Sequence, residues 1–320
     1  MQVTRSGFPA IRRLFQLLVL GALVLLSSRV EGQDLEPRAY SPSPTGTNFM
    51  IAGFGTSSGS VLFDPTLPIT DVHANLYSPL VGVGRTMGIA GRQALVTAAL
   101  PYVWGDIEGK VSEQQTAITR SGLADLRVKL AFNLRGSPAL TPQEFAKSRH
   151  RGIIVGTSLS VVVPIGQYDP AKLINLGTNR WAFKPELGIS YPRKRWNFDL
   201  YAAVWLFTKN PIFYPGTSMR RQDPLSSLQA HVSYTIRPRL WLAVDSTWYG
   251  GGAGHVNDGP ATGRLSSSRI GVTLSLPLRK KQSLKVAYST GATARSGADF
   301  STLSVAWQFM WFDRQRSKKP

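Results

Sequence analysis

The stretch WAFKPELGISYPRKRWNFDLYAAVWLF, residues 181–207, decides the fold. In its first arm, Trp181–Ser190, apolar residues alternate with the charged residues Lys184 and Glu186. A basic turn at 192–195 follows, and the alternation resumes in a second arm that begins at Trp196. Period-two alternation over about ten residues, with aromatic residues at the ends, is typical of a strand with lipid on one face and water on the other. A soluble sandwich would instead pack its apolar face against a second sheet.

The same hairpin pattern recurs twice, at residues 228–248 and 270–289. The hairpins are preceded by single strands, of which the first two alternate weakly and the fourth, at 125–132, alternates cleanly, and an aromatic-rich strand ends the barrel. About twelve strands are predicted: 48–56, 71–87, 93–104, 125–132, 153–164, 181–190, 196–204, 228–237, 240–248, 270–278, 283–289 and 300–312. This pattern predicts an all-β fold, a transmembrane antiparallel up-and-down β-barrel with short periplasmic turns and longer extracellular loops. The register of the first two strands is left open, because their glycine-rich alternation specifies it weakly.

The connections between strands are predicted from their composition. Residues 105–120 are polar and are interpreted as a loop, as are residues 208–227 and 250–268, which are rich in Pro or Gly. The segment 135–151 is long for a turn and carries Thr141, Pro142 and Glu144 in the order of a capping box with Pro at the first helical position. One short helix is therefore expected there.

The N-terminus has the features of a secretory signal peptide. A basic region with Arg5, Arg12 and Arg13 precedes an apolar core at 14–26 and small residues up to position 32. The apolar core is too short to be a spanning helix. Four segments are expected: a signal peptide at 1–32, an extended N-terminal segment at 33–46, the barrel at 47–312 and a basic tail at 313–320.

The composition narrows the classes of partner. The chain has 320 residues, no Cys and a formal charge of +19. It offers no mature run of about 20 apolar residues, which excludes a helical membrane protein. The positive charge is spread over turns, loops and strands rather than gathered in one stripe, so nucleic acid is not an expected partner. Outer-membrane lipid and lipopolysaccharide are expected partners, with loop cations as candidate phosphate contacts: Lys209, Arg220, Arg221 and Arg264.

Two further partners are expected from the barrel interpretation. The final strand ends in aromatic residues, which is similar to the C-terminal signal read by the barrel-assembly machinery, and a small-molecule solute is the expected cargo. Aromatic residues near strand ends suit interfacial girdles: Tyr102, Trp104, Trp181, Trp196, Trp248, Trp307 and Trp311. No cofactor is expected, and no energy-coupling element, such as a nucleotide motif, a plug domain or a large periplasmic module, is visible. No metal site is expected either, because His73, His150, His231 and His255 show no ligand spacing.

Charged residues on the polar faces of strands are the candidate functional site. If alternation holds, they project into the lumen: Asp125, Arg127, Lys129, Lys184, Glu186, Asp199, Arg237, Asp245, Arg269 and Lys285. Such side chains could select what passes through a channel. They could equally form a structural network that neutralises itself inside a narrow barrel, and both roles can hold at once. A twelve-stranded barrel lies between side-chain-filled barrels and wide porins, so a narrow or partly occluded lumen is expected.

An enzymatic alternative rests on His231 and Ser233, which lie two residues apart on one strand face. Outer-membrane phospholipases, which are also twelve-stranded, use a His and a Ser with this spacing as base and nucleophile. Here both residues are expected to face inward, away from lipid, and no Asn partner to orient the His is visible. The chain is therefore not expected to be an enzyme.

Several stretches form a recognisable set: LEPRAYSPSPTGTNF at 35–49, ALPYV at 99–103, SGLADL at 121–126, VPIGQYDP at 163–170, and LGTNRW at 176–181 with the hairpin that follows. Together they resemble the outer-membrane "MetA-pathway of phenol degradation" transporter family. The similarity covers nearly all of the mature chain. It implies a barrel in the outer membrane of a Gram-negative bacterium and passage of small hydrophobic or aromatic compounds. It supplies no substrate-binding residues.

The expected function is an outer-membrane channel or transporter for small molecules, passive or gated. Two rival functions remain open. One is a structural or adhesive barrel that acts through its loops and would show no conductance. The other is a lipid-modifying barrel enzyme, which substitution of Ser233 should inactivate.

Overall fold

The computed structural model describes residues 35–61, 69–111, 114–148, 152–172, 174–296 and 299–313. The expected signal peptide at 1–32, the tail beyond 313 and His150 lie outside these residues. Sixteen strands and one helix are found in the described part. The barrel strands are β1 (Thr47–Val61), β2 (Ile69–Ile89), β3 (Arg92–Val111), β4 (Gln114–Leu123), β5 (Leu126–Arg135), β6 (Ile154–Val163), β7 (Ala182–Arg193), β8 (Trp196–Phe207), β11 (Leu225–Arg237), β12 (Leu240–Gly251), β14 (Leu265–Arg279), β15 (Gln282–Ser296) and β16 (Asp299–Phe312).

Three more strands belong to the loops, β9 (Asn210–Phe213), β10 (Ser218–Gln222) and β13 (Gly254–Val256), and the helix is α1 (Pro142–Lys147). The barrel strands pair antiparallel with their neighbours around the ring, and β1 pairs with β16 to close it. Strands β4 and β5 both pair with β3 and together occupy one position, separated by a break at residues 124–125. The predicted twelve-stranded antiparallel barrel is confirmed.

Closure and alternation explain why this fold suits lipid. Every barrel strand finds partners, as backbone groups in a bilayer require. Outward side chains are apolar, and Val81 and Val244 are 64% and 60% exposed. Inward side chains on β7 to β12 are mostly buried. A soluble protein rarely exposes an apolar band of this extent, so the outer face is the surface that meets lipid. No helix among the described residues is long and apolar enough to cross a membrane.

The two ends of the barrel differ in their connections. Four tight turns lie at one end, between β2 and β3, β7 and β8, β11 and β12, and β14 and β15. Lys194 and Arg239 adopt positive φ in two of these turns. This short-turn end is the periplasmic one in outer-membrane barrels. It also carries α1, where the predicted capping box is present, with Thr141 accepting from Glu144 and Glu144 reaching back to Thr141.

At the other, long-loop end, three predicted loops contain strands. Most of residues 105–120 extends β3 and forms β4, because Ile107 alternates with charged neighbours and packs with Val72 and Ala74 of β2. Charge on the other face hid this alternation in the sequence. The regions 208–227 and 250–268 also contribute short strands: β10 pairs with β9 and β13 in a separate three-stranded sheet.

The register of the first two strands, left open by the sequence, is regular in the structure. β1 pairs with β2 from Asn48↔Arg85 to Val61↔Val72 without interruption. On its other side β1 pairs with β16 from Thr47↔Phe312 to Ser60↔Asp299. Two flanking strands fix what the glycine-rich sequence alone specified weakly.

Candidate functional site: the barrel lumen

The lumen is partly filled by the chain's own N-terminal segment, residues 35–46, called here the inner segment. Its central residue, Tyr40, is 1% exposed. Gly156 of β6 and Gly188 of β7 face each other in register. A Cβ atom added at either glycine would lie 2.1 or 2.2 Å from the Tyr40 ring. The two glycines therefore form a notch in the wall that only a residue without a side chain can provide.

Polar contacts hold Tyr40 in this notch. Its hydroxyl donates to Glu186 Oε1 at 2.9 Å and lies 3.2 Å from Ser158 Oγ. Its ring packs edge-on against Tyr201 with centroids 5.2 Å apart, and the Tyr201 hydroxyl accepts from the backbone N–H of Ala39 at 3.1 Å. Edge-to-face aromatic pairs add to the burial of both rings. Tyr40 is thus bound on its ring faces, its edge and its hydroxyl.

Arg38 extends the inner segment towards β11. Its Nε donates to Ser233 Oγ at 2.7 Å and its Nη2 to Thr235 Oγ1 at 2.8 Å. Its backbone N–H donates to Asp199 Oδ2 at 3.1 Å, and its guanidinium lies 4.9 Å from the centre of the Trp241 ring. Arg38 has a positive φ of 65°, a conformation that these contacts must stabilise.

Ion pairs join Glu36 of the inner segment to β5 and β7. Lys129 forms an ion pair with Glu36 and lies 3.9 Å from Glu186 Oε1. Lys184 lies 3.2 Å from Glu186 Oε2 and 5.5 Å from the Trp205 ring. Glu186 therefore meets two lysines and the Tyr40 hydroxyl. Buried charges that pair in this way neutralise each other's cost of burial.

The rest of the inner segment contacts the short-turn end. The backbone N–H of Ser43 donates to Gln93 Oε1 at 2.8 Å, and Gln93 in turn accepts from Ser137 Oγ at 2.7 Å. The N–H of Thr45 donates to the carbonyl of Leu140 at 2.8 Å. The connection that carries α1 therefore clamps the point where the inner segment enters the barrel.

Two buried carboxylates, on the strands at either side of β11, complete the polar network. Asp199 accepts from Ser190 Oγ and, at 2.7 Å, from Asn197 Nδ2. On β12, Asp245 is fully buried. Its two oxygens contact His231 Nδ1 at 2.7 Å and Thr273 Oγ1 at 2.6 Å. Neither carboxylate is left without hydrogen-bond donors, as burial requires.

Five candidate residues remain, of which Asp125 and Arg269 are buried. Asp125 is buried at the break between β4 and β5, where it accepts from the backbone N–H groups of Gly166 and Thr178, each at 2.9 Å, and so holds the loop after β6. Arg269 is buried on β14 and donates to Ser289 Oγ at 3.2 Å.

The other three candidates are exposed. Arg127 lies on β5 and Lys285 on β15, both on the inward face by register. Arg237 lies at the last position of β11, past a register shift beside the turn to β12. The register thus puts Arg237 at the short-turn rim, apart from the network around Tyr40.

The lumen wall has two unlike parts. From β5 to β15 the inward positions carry the network just described, and this part is called here the charged wall. The other part, called the uncharged wall, holds no charged residue at its inward positions. These positions lie between 302 and 310 on β16, between 47 and 57 on β1, between 76 and 86 on β2, and between 93 and 103 on β3. Its apolar members are mostly partly exposed: Phe49, Ile51, Leu76, Leu80, Leu95, Ala99, Pro101, Val103, Ala306 and Met310.

The sequence reasoning missed the inner segment as part of the site. Residues 33–46 were expected to be irregular, which gave no reason to place Glu36, Arg38 and Tyr40 in the lumen. A signal was available: a charged and aromatic run precedes β1 directly, and the paired glycines Gly156 and Gly188 interrupt two inward rows of side chains. Only pairing across strands brings those glycines together.

The His231 and Ser233 pair has an orienting acid that the sequence did not reveal, Asp245. The two residues nevertheless lack the contacts of a base and a nucleophile. Ser233 Oγ accepts from Arg38 Nε, and the buried His231 Nε2 has no hydrogen-bond partner in the described structure. Both side chains are inward and fully buried, so lipid has no access to them. In the described residues no group of three or more His, Cys, Asp or Glu could hold a metal ion.

A closed barrel with an apolar outer band and a partly filled polar lumen is the architecture of a transmembrane β-barrel of the channel type. The chain belongs to the family described as "Putative MetA-pathway of phenol degradation", whose model matches residues 44–307. No curated protein matches the chain.

Solved structures share the fold. The COG4313 outer membrane channel from Pseudomonas putida F1 is 18% identical, with a TM-score of 0.71 over 87% of this chain and 100% of that one. The β domain of the Bordetella autotransporter BrkA is 11% identical, with a TM-score of 0.48 over 82% and 99%. The P. putida toluene transporter TodX is 8% identical, with a TM-score of 0.43 over 91% and 96%. The first of these establishes the fold.

Proposed function

We propose that this protein is an outer-membrane channel for small hydrophobic or aromatic molecules, with a lumen that its own inner segment partly fills. The observation that carries the proposal is the division of the wall. The inner segment makes its ion pairs and most of its side-chain hydrogen bonds with the charged wall. The uncharged wall on the opposite side keeps partly exposed apolar side chains.

The uncharged wall supports a path for solutes that are poorly soluble in water. Four inward positions lie side by side in register across neighbouring strands: Pro101 of β3, Leu80 of β2, Gly53 of β1 and Ala306 of β16. Transfer of an apolar solute from water to an apolar surface is favourable, so apolar side chains along a path attract such a solute, whereas a charged lining would not. The family description, which names phenol degradation, agrees with a solute of this kind.

The inner segment supports a passage that opens and closes. It enters from the short-turn end, and the covalent chain continues directly into β1 at Thr47. Its contacts are a limited set of ion pairs and hydrogen bonds around Glu36, Arg38 and Tyr40. Displacement of this segment would expose the charged wall and widen the lumen without altering the pairing of the barrel strands.

The proposed membrane setting predicts contacts at the long-loop end. Lys209, Arg221 and Arg264 are exposed there, and we propose that they contact phosphate groups of lipopolysaccharide. Trp181 and Trp248 lie near this end and Trp196 and Trp311 near the other, all exposed, as interfacial girdles require.

The function is tested by single-channel recording of the refolded protein without residues 1–32, in a planar bilayer. We expect small, discrete conductance steps, with transient blocks of the ion current when phenol or benzyl alcohol is added. Leu80→Asn should shorten these blocks, because it places an amide in the uncharged wall. The matched control Leu187→Asn changes an outward residue of β7 that is 52% exposed and should leave the blocks unchanged wherever the variant folds.

Heat-modifiable gel migration would establish that each variant is a folded barrel. A folded protein that gives no conductance at any voltage would overturn the proposal and favour a barrel that acts through its loops.

A further inference from the structure

Two exposed cations stand at the borders between the two walls. Lys285 of β15 pairs in register with Ala306 of β16, at one edge of the uncharged wall. Arg127 of β5 pairs with Ala99 of β3, at the other edge. Both side chains are exposed to the lumen, in contrast to the buried Lys184. A solute that moves along the uncharged wall therefore passes between two positive charges.

Lys285 lies near carboxylates but forms an ion pair with none of them in the described structure. Its ammonium has no hydrogen bond and no ion pair with any residue that the structure describes, and it lies 6.0 Å from the centre of the Trp241 ring. The carboxylates that act on it electrostatically are Glu36 and Asp245. Glu36 already forms an ion pair with Lys129, and Asp245 already accepts from His231 and Thr273.

The surroundings of Lys285 add positive charge. The Arg38 guanidinium lies 4.9 Å from the same Trp241 ring that Lys285 approaches. Two cations therefore lie near one aromatic ring of the charged wall. In a confined lumen a positive charge of this kind raises the local concentration of anions and repels cations.

We propose that the channel selects amphiphilic organic anions, above all aromatic carboxylates, and that Lys285 is the specificity-determining residue. The carboxylate would pass beside the Lys285 ammonium while the ring slides along the uncharged wall. A neutral hydrocarbon would gain only from the uncharged wall, and an organic cation would be opposed at both borders. This inference rests on the proposed channel function and adds the charge of the solute.

The test measures reversal potentials of the refolded protein, without residues 1–32, in planar bilayers. Gradients of sodium benzoate, sodium acetate and benzyltrimethylammonium chloride give the permeability of an aromatic anion, a small anion and an aromatic cation. The variants are Lys285→Gln, the charge-preserving Lys285→Arg, and a matched control, Lys281→Gln, which removes one exposed lysine from the turn between β14 and β15.

We expect benzoate to permeate several-fold better than benzyltrimethylammonium, and at least as well as acetate. Lys285→Gln should reduce the ratio of benzoate to benzyltrimethylammonium several-fold, whereas Lys285→Arg and Lys281→Gln should preserve it. The inference would be overturned by a conducting protein whose ratio of benzoate to benzyltrimethylammonium permeability is near one, or is unchanged by Lys285→Gln. Either result would leave the proposed channel function intact. Benzoate permeability well below that of acetate would overturn the role of the ring. A folded protein without conductance would overturn both proposals.

Discussion

The charged wall and the uncharged wall of the lumen both consist of antiparallel strands, but they differ in how many contacts they make with the inner segment. The charged wall binds it through Glu186, Ser233 and Lys129. Its two glycines, Gly156 and Gly188, leave room for the Tyr40 ring because they have no side chain. Across the lumen, the uncharged wall keeps its apolar side chains partly exposed.

This difference indicates that the inner segment and the path for solutes divide the lumen between them. A narrow barrel normally fills itself with side chains. Here the inner segment, which can be deleted without altering the barrel strands, fills the lumen beside the charged wall. The uncharged wall has the composition of a hydrophobic path. The two walls should therefore respond differently to mutation.

The largest expected effect comes from deletion of residues 35–43. Loss of Glu36, Arg38 and Tyr40 should raise single-channel conductance several-fold, because the charged wall then faces water. Barrel assembly should survive, because residues 44–46 and the start of β1 remain. Conductance measured in planar bilayers, with heat-modifiable migration as the folding control, checks this. Unchanged conductance in a folded deletion variant would mean that the inner segment does not limit the path.

A smaller effect is expected from Gly188→Ala. The added Cβ atom would lie 2.2 Å from the Tyr40 ring and 2.8 Å from the Tyr201 ring, so Tyr40 must leave its notch. Overpacking of this kind costs about 1–3 kcal/mol. Conductance should rise towards that of the deletion variant, and the denaturation midpoint should fall. The matched control is Gly55→Ala on the uncharged wall, where the nearest atom would lie 3.9 Å away. Equal effects of the two substitutions would remove the distinction between the walls.

The smallest effect is expected at the seam between β1 and β16, away from both walls. Arg85 forms an ion pair with Asp313 at 2.6 Å and donates to Asn48 at 2.9 Å, but all of these groups are solvent-accessible. Exposed ion pairs contribute little to stability. Arg85→Ala should therefore change neither the denaturation midpoint nor the conductance measurably. A clear loss of either would show that closure of the barrel depends on this contact.

The sequence predicted the barrel and much of its interior from local pattern. The three hairpins at 181–207, 228–248 and 270–289 alternate so regularly that strand, turn and face follow from each segment by itself. Lys184, Glu186, Asp199 and Asp245 are accordingly buried on the inward face by register. The helix cap at Thr141 was also predictable, since its residues are neighbours in sequence.

Other features depend on residues that are distant in sequence. The extension of β3 and β4 needs Ile107 to pack with β2, and the notch for Tyr40 needs two glycines from neighbouring strands. The Asp245 partner of His231 lies on the next strand, and the hydrogen bonds of Arg38 span almost 200 residues. No period or spacing within a segment carries this information.

By itself, therefore, the sequence determined the number of strand positions in the barrel and, for the three regular hairpins, the side of each strand that meets lipid, because alternation repeats every second residue within one segment. Only the tertiary structure decided that residues 35–46 fold back into the lumen, that the charged wall makes their ion pairs and most of their side-chain hydrogen bonds, and that Lys285 and Arg127 border the other wall. Those outcomes are set when ring closure brings β16 beside β1 and gives the inner segment one charged surface to bind.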